Sequence, residues 1–114
     1  MLLNKGELDG VRILSRKTVE LMTETNHIGT LNPTALHDDG WKFGLGVAIE
    51  ADRAHNVDSG SVGTFEWAGI FSTRFSVDPK EQKITLFLSQ THPFNYHFEL
   101  WDKLLVLSSS SIAD

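Results

Sequence analysis

The sequence has 114 residues, of which 40% are apolar, and this is enough for one domain, so a second domain is not expected. Its net charge of −5 comes from 15 acidic and 10 basic residues without a run of either sign, which argues against nucleic acid as a partner. The chain contains no cysteine, which excludes disulfides and thiolate metal sites, and it has no apolar stretch long enough to span a bilayer, so no membrane partner is expected.

The first residues, Met1-Leu2-Leu3-Asn4-Lys5-Gly6, are too few and become polar too soon for a signal peptide, so the chain as written is expected to be cytoplasmic. The lack of cysteine is compatible with a cytosolic or an exported protein, and the compartment stays open on that ground. Gly6 and the Asp9-Gly10 pair bracket a turn, after which residues 11–14 are typical of an extended segment.

Ser15 is the expected N-cap of a helix that runs from Arg16 to about Thr25, in which Val19 and Met22 share one face. The following residues, 27–40, are rich in glycine, proline and aspartate and are predicted to be a loop. Residues 52–61 are predicted to be a second polar, irregular segment.

In residues 43–50, large apolar side chains alternate with Gly44, Gly46, Ala48 and Glu50, which is the period of a strand with one crowded face and one nearly bare face. The small positions include Gly44 and Gly46, and glycines on one face of a strand indicate that another backbone packs closely against it.

Two further extended segments are predicted at residues 62–69 and 70–77. A turn at Asp78-Pro79-Lys80-Glu81 then leads to a return strand at residues 84–90. A helical stripe predicts a C-terminal helix over about residues 95–107, and its members are Phe94, Phe98, Trp101 and Leu105. The serine run at 108–111 predicts a flexible tail over residues 108–114.

The predicted class is therefore α+β, with a small antiparallel sheet flanked by an N-terminal and a C-terminal helix. We expect one partial domain at residues 1–107 and a flexible tail at 108–114.

A search for local catalytic motifs finds none that is complete. Gly60-Ser61-Val62-Gly63 has the wrong spacing for a nucleophile elbow, and no serine is followed three residues later by lysine. No histidine pair has the spacing of a helical zinc motif, and His37 beside Asp38 and Asp39 is more typical of a solvated loop than of a metal site. Gly44-x-Gly46 lacks the third glycine of a dinucleotide fingerprint. No metal and no cofactor are predicted, and Trp67, which stands among glycines and polar residues, is the tryptophan most suggestive of a pocket.

Five blocks of the sequence, in order, resemble the C-terminal part of the serine β-lactamase-like family, which includes class C β-lactamases, penicillin-binding proteins and esterases. The first two blocks are residues 1–15 and Phe43-Gly44-Leu45-Gly46-Val47. The third, Gly63-Thr64-Phe65-Glu66-Trp67-Ala68-Gly69, is similar to the esterase-type Trp-Gly-Gly form of the third active-site motif. The last two, residues 75–81 and 86–90, are similar to the hairpin behind that motif.

The resemblance implies a partial β-lactamase-like fold in which the third motif lines the substrate cleft from an edge strand. The substrate-binding positions it implies are Trp67, Ala68, Gly69 and the backbone N–H of Ile70, which would help to hold an oxyanion. Ala68 departs from the commoner glycine, serine or threonine. Family members carry a Ser-x-x-Lys nucleophile and a Tyr-x-Asn-type motif upstream, and neither occurs here, since Tyr96 is followed by His97 and Phe98. No catalytic residue is therefore expected.

The leading hypothesis is a non-catalytic C-terminal fragment of a serine hydrolase that contributes one wall of an acyl-transfer site, with the tryptophan-type motif favouring ester substrates. The alternative is an oligomerisation or binding module that uses an exposed sheet edge, because the resemblance leaves residues 84–90 without their neighbouring strand. The expected partner is a second copy of the chain or a chain that supplies the missing N-terminal region. An enzyme that uses His37 or His92 stays open, with no motif behind it.

Overall fold

The computed structural model describes residues 1–28, 40–55, 60–92 and 98–112. Most of the predicted loop at 27–40 and part of the polar segment at 52–61 lie outside these residues. So do His37, Asp38, Asp39 and His97. Within the polar segment, Arg53–His55 form a single 3₁₀ turn.

The N-terminal segment is a short hairpin followed by a helix. Strands β1 (Glu7–Leu8) and β2 (Val11–Arg12) are antiparallel and are joined by Asp9 and Gly10. Both turn residues have positive φ, 50° and 78°, as a type I′ turn requires. Ser15 caps helix α1 (Arg16–Thr23) as predicted, since its side chain accepts a hydrogen bond from the Thr18 N–H at 3.0 Å.

The glycine-rich segment is two strands, so the prediction of one strand over residues 43–50 is wrong. Strand β3 (Trp41–Phe43) and strand β4 (Ala48–Glu50) form a hairpin. Gly46 has a φ of +86°, which interrupts the extended backbone, and the Gly44 N–H donates to the Val47 carbonyl at 2.8 Å. Alternation alone could not separate a strand from a tight hairpin whose turn is also partly apolar.

The predicted close approach of another backbone is confirmed at Gly44 and is wrong at Gly46. A Cβ atom on Gly44 would lie 1.9 Å from the Met22 carbonyl oxygen, which also accepts a hydrogen bond from the Leu45 N–H at 3.1 Å. Nothing lies within 4 Å of a Cβ on Gly46. Gly44 therefore seats the end of α1 against the β3–β4 hairpin, whereas Gly46 serves only the turn.

Strands β3 to β7 form one antiparallel sheet of five strands in sequence order. The remaining strands are β5 (Phe65–Gly69), β6 (Thr73–Asp78) and β7 (Lys83–Phe87). The predicted turn between β6 and β7 is confirmed, because the Asp78 carboxylate accepts hydrogen bonds from the Lys80 and Glu81 N–H groups at 3.0 and 3.1 Å. The α+β class is confirmed.

The buried core lies on one face of this sheet. Val47, Ile49, Phe65 and Val77 form its centre, and the partly buried side chains of Leu2, Leu3 and Phe75 pack against it. The N-terminal residues thus help to close the core, which ties the first segment of the chain to the sheet.

Helix α2 (Phe98–Ser110) lies against the sheet as predicted, with Trp101 and Leu105 buried. Its predicted start at residue 95 lies outside the described residues. The helix extends beyond the predicted end at residue 107, and Ser109 accepts a hydrogen bond from the Lys83 Nζ at 2.6 Å. Three residues of the stretch predicted as a tail are therefore helical.

Neither helix in the described part of the chain is long and apolar enough to cross a membrane.

Candidate functional site

The predicted site residues lie together at the end of strand β5. Trp67, Ala68 and Gly69 are the last residues of β5, and Ile70 begins the loop to β6. The sheet order makes β5 the central strand, so the expectation of an edge strand is wrong for the strand as a whole. Strand β4 pairs only with Phe65 and Glu66, however. Trp67 to Gly69 pair with β6 on one side, and in the described part of the chain no strand pairs with their other side.

The backbone of Ala68 faces this open side. The Glu50 N–H donates to the Thr64 carbonyl at 2.8 Å, which shows that the carbonyl of Thr64 points toward β4. Hydrogen-bonding direction alternates along an antiparallel strand, so Glu66 and Ala68 point the same way. The N–H and C=O of Ala68 therefore lie where an added extended segment or a substrate could bond to them.

The loop after Gly69 is tightly held. The Ser72 N–H donates to the Gly69 carbonyl at 3.0 Å, and Ser72 adopts a positive φ of 62°, which is typical of a hairpin loop that ends in a bulge. The buried Ser72 hydroxyl donates to the Thr91 carbonyl at 2.9 Å, and the Ser89 hydroxyl donates to the Phe71 carbonyl at 2.8 Å. Ile70, the predicted oxyanion donor, is 64% exposed on this fixed loop.

Trp67 is held on the core face of the sheet. Its ring meets the Phe43 ring edge to face, with centroids 4.8 Å apart. Beside it runs a shallow groove of about 290 Å³, which is lined by Trp67, Ala68, Gly69, Thr73, Arg74, Phe75, Leu86 and Leu88. The lining is mostly apolar, and this suits an acyl or alkyl group better than a charged one.

The groove residues Phe75, Leu86 and Leu88 were missed by sequence reasoning. Strand pairing places Trp67 opposite Phe75 and Phe75 opposite Leu86. This register follows from the tight turn at residues 78–81, so a count outward from that turn could have found Phe75 and Leu86.

Arg74 is the cross-strand neighbour of Ala68, and its guanidinium extends to the face of the sheet that carries α2. Its guanidinium carbon lies 5.6 Å from the centre of the Trp101 ring in α2. Burial lowers the pKa of Arg74, and the nearby carboxylates of Glu66 and Asp102 oppose that shift. The residue thus bridges β6 and α2.

The serines near the site are engaged in holding the backbone. Ser72 and Ser89 both donate to main-chain carbonyls, and neither has a side-chain base as a described partner. Lys83 approaches Ser109 and Ser108, with Nζ to Oγ distances of 2.6 and 3.5 Å. This pair lies at the C-terminal end of α2, where a cation stabilises the last turn of a helix, and it is an anchor for α2.

The histidines that the structure describes do not form a metal site. The His27 ring lies 2.9 Å from the Leu21 carbonyl oxygen, and the His92 ring lies 6.1 Å from the ring of Phe71. Over residues 1–28, 40–55, 60–92 and 98–112, no group of three histidine, aspartate or glutamate side chains could hold a metal ion. The predicted cluster at His37 lies outside these ranges.

Comparison with known sequences gives two similar proteins of Mycobacterium tuberculosis. Protein Rv1367c of strain H37Rv and uncharacterized protein MT1414 of strain CDC 1551 are each 35% identical to the chain over 100 residues. The match covers 82% of this chain but 25% of either relative, so the chain spans about a quarter of the length of these proteins. The chain matches no family profile.

Comparison with solved structures shows the kind of fold. The chain superposes on EstCE1, a hydrolase with promiscuous acyltransferase activity, with a TM-score of 0.64 and 25% identity, and the match covers 91% of this chain and 26% of EstCE1. Simvastatin synthase (LovD) from Aspergillus terreus gives a TM-score of 0.70 at 20% identity over 99% of this chain and 32% of LovD. The chain therefore has part of a serine hydrolase and acyltransferase-like fold, and these neighbours do not assign it to the class C β-lactamases.

Proposed function

We propose that this chain forms one wall of an acyl-transfer site of the esterase type and supplies no nucleophile of its own. The observation that carries the proposal is the open side of β5, where the backbone of Ala68 and the exposed Ile70 lie beside an apolar groove. Support also comes from the superposition on EstCE1, a hydrolase with promiscuous acyltransferase activity.

The chemistry of acyl transfer explains how this chain could supply an oxyanion donor while another segment supplies the nucleophile. An ester carbonyl that is attacked by a nucleophile develops negative charge on its oxygen, and fixed backbone N–H groups stabilise that charge. The loop at residues 70–72 is held by hydrogen bonds from Ser72 and Ser89, so the Ile70 N–H needs no reorganisation during the reaction. The attacking serine and its base would come from the remainder of a longer chain or from a partner.

A graft tests this proposal directly. Residues 65–73 would replace the matching hairpin of EstCE1, and Ile70→Pro would be compared with Ile70→Val in the graft. Proline is favoured at the second position of a tight turn such as that from Gly69 to Ser72, so this change removes the N–H at little conformational cost. Valine keeps the N–H.

We expect the graft and its Ile70→Val variant to hydrolyse a p-nitrophenyl ester at similar rates. The Ile70→Pro variant should lose about a hundredfold in kcat, which is the ordinary cost of removing one oxyanion donor. Equal rates for the proline and valine variants, with unchanged melting temperatures, would argue against Ile70 as a donor.

A second candidate function is an oligomerisation or binding module, and one observation favours it. Strand β7 is the last strand of the sheet, and Ile84, Leu86 and Leu88 on or beside it are 58%, 60% and 72% exposed. An edge that carries large apolar side chains favours pairing with another strand. A partner chain that supplies the N-terminal region and a second copy of this chain are both candidates for that place.

A further inference from the structure

The turn after β5 fixes the peptide unit that carries the Ile70 N–H. The Gly69 carbonyl accepts a hydrogen bond from the Ser72 N–H at 3.0 Å, so this carbonyl points into the turn. A trans peptide unit is planar, and its N–H points opposite to its carbonyl. The Ile70 N–H belongs to the same peptide unit as the Gly69 carbonyl, and it therefore points out of the turn.

The peptide unit between Phe71 and Ser72 is held by the segment that follows β7, residues 89–91. Its carbonyl, that of Phe71, accepts hydrogen bonds from the Thr91 N–H at 3.2 Å and from the Ser89 hydroxyl at 2.8 Å, which occupies both lone pairs. Its N–H is the group that donates across the turn. The segment therefore fixes this peptide unit, and through it the peptide unit of the predicted oxyanion donor.

Ser72 has a backbone conformation that glycine usually supplies. Its φ of 62° is that of the last loop residue in a hairpin that ends in a bulge, and a side chain at this position crowds the backbone. The residue is 2% exposed, and its hydroxyl donates to the Thr91 carbonyl at 2.9 Å. The side chain thus ties the loop to residues 89–91, which glycine could not do.

We infer that Ser72 and Ser89 are positioning residues of the acyl-transfer site, whose hydroxyls hold the loop so that the Ile70 N–H keeps one direction. Their role rests on the proposed function, in which this N–H stabilises an oxyanion. A donor of this kind is effective when its direction is set before the reaction, because a fixed group needs no reorganisation as charge develops. The two serines act through the loop backbone and do not touch the substrate.

Nuclear magnetic resonance of the purified full chain tests whether the two hydroxyls fix the loop. We expect the Ile70 N–H to have an order parameter of about 0.85 in the unchanged chain, and below about 0.6 when Ser72→Gly and Ser89→Ala are combined. Each single change should give an intermediate value. Glycine adopts a positive φ readily, so Ser72→Gly removes the hydroxyl and keeps the turn. Ser89→Thr retains the hydroxyl and should keep the unchanged order parameter.

Thr23→Val is the matched control for the loss of a buried hydroxyl. The Thr23 side chain is also buried and donates to a carbonyl, that of Val19, at 2.9 Å, but it lies in α1. The control should lower the melting temperature and leave the Ile70 order parameter unchanged. Equal order parameters for Ile70 in the combined variant and in Thr23→Val would overturn the positioning role.

Catalysis separates this inference from the acyl-transfer proposal. In an EstCE1 graft extended to residues 65–91, Ser89→Ala should lower kcat about tenfold with KM unchanged, because the oxyanion forms only in the transition state. Ser89→Thr should restore kcat. If Ser89→Ala leaves kcat unchanged while Ile70→Pro lowers it, the positioning role is overturned and the acyl-transfer proposal stands. If neither change lowers kcat, the acyl-transfer proposal fails, and the positioning role fails with it.

Discussion

Asp78 shows how one carboxylate can fix a turn and the register of the strands around it. Its side chain accepts hydrogen bonds from the Lys80 and Glu81 N–H groups and from the Ser61 N–H at 3.1 Å, while the residue is almost fully buried. Burial raises the pKa of Asp78, but hydrogen bonds from Glu81, Ser61 and Lys80 together outweigh it, so the pKa lies below its ordinary value.

This shift predicts an acid-sensitive contribution to folding. A carboxylate with a lowered folded-state pKa stabilises the fold above the unfolded pKa of about 3.9 and loses that contribution as pH falls through the folded pKa. Asp78→Asn should cost on the order of 1 kcal/mol at pH 7 and flatten the loss of stability below about pH 4. Urea unfolding from pH 7 to pH 3 measures both effects. Asp9→Asn, which removes the same charge from an exposed turn, should leave the acid slope unchanged, and equal slopes for the two variants would count against this account.

Ser15 stabilises the first turn of helix α1 as its N-cap. Its side chain satisfies the Thr18 N–H at the start of α1, so Ser15→Ala should lower the free energy of unfolding by about 1 kcal/mol. Ser110→Ala is the matched control, because the Ser110 hydroxyl bonds to the Val106 carbonyl on an exposed helix surface. The control should change stability by less than about 0.5 kcal/mol in the same urea titration. Equal losses would mean that the cap contributes little.

Both of these residues were predictable from the sequence because each acts on its own neighbourhood. An N-cap and an Asp-Pro turn satisfy backbone groups two or three residues away, and such contacts are fixed by residue type and spacing. The bond from Ser61 to Asp78 joins residues far apart in sequence, and no local pattern indicates it.

The β3–β4 hairpin is the element that the local sequence pattern did not predict. Residues 43–50 have the alternation of a strand, yet Gly44 to Val47 form a turn. The hydrophobic pattern shows which positions are apolar, but it cannot distinguish a glycine with an extended backbone from a glycine with positive φ. The contact between Gly44 and α1 was still indicated, because a missing side chain is required wherever another backbone comes close.

Gly44 therefore gives a prediction about how two elements join. Gly44→Ala would place a Cβ 1.9 Å from the Met22 carbonyl oxygen, and the helix end would have to move. We expect a loss of about 2–3 kcal/mol in the free energy of unfolding. Gly10→Ala, whose Cβ would meet nothing within 4 Å, should cost about 1 kcal/mol from its positive φ alone. A smaller loss at Gly44 than at Gly10 would contradict the proposed contact.

For the molecule as a whole, the α+β class was predicted from the sequence, whereas the number of strands and the place of the site in the sheet were not. The sheet is a meander of neighbouring strands, so short turn signals largely determine its order. The expectation of an edge strand for β5 came from a family resemblance. The structure makes β5 central and opens only its last residues, because β4 is too short to reach beyond Glu66. The register of three strands brings the groove residues together, and no single sequence motif predicts the groove.

Intact mass spectrometry after treatment with a fluorescent phosphonate probe tests whether this fold carries a wall of an acyl-transfer site without a nucleophile. EstCE1, a hydrolase with promiscuous acyltransferase activity, is treated in parallel as a comparison for the probe. We expect the purified chain to gain no mass. A stoichiometric adduct would contradict it, and mapping that adduct to Ser109, beside Lys83, would identify the serine that is activated.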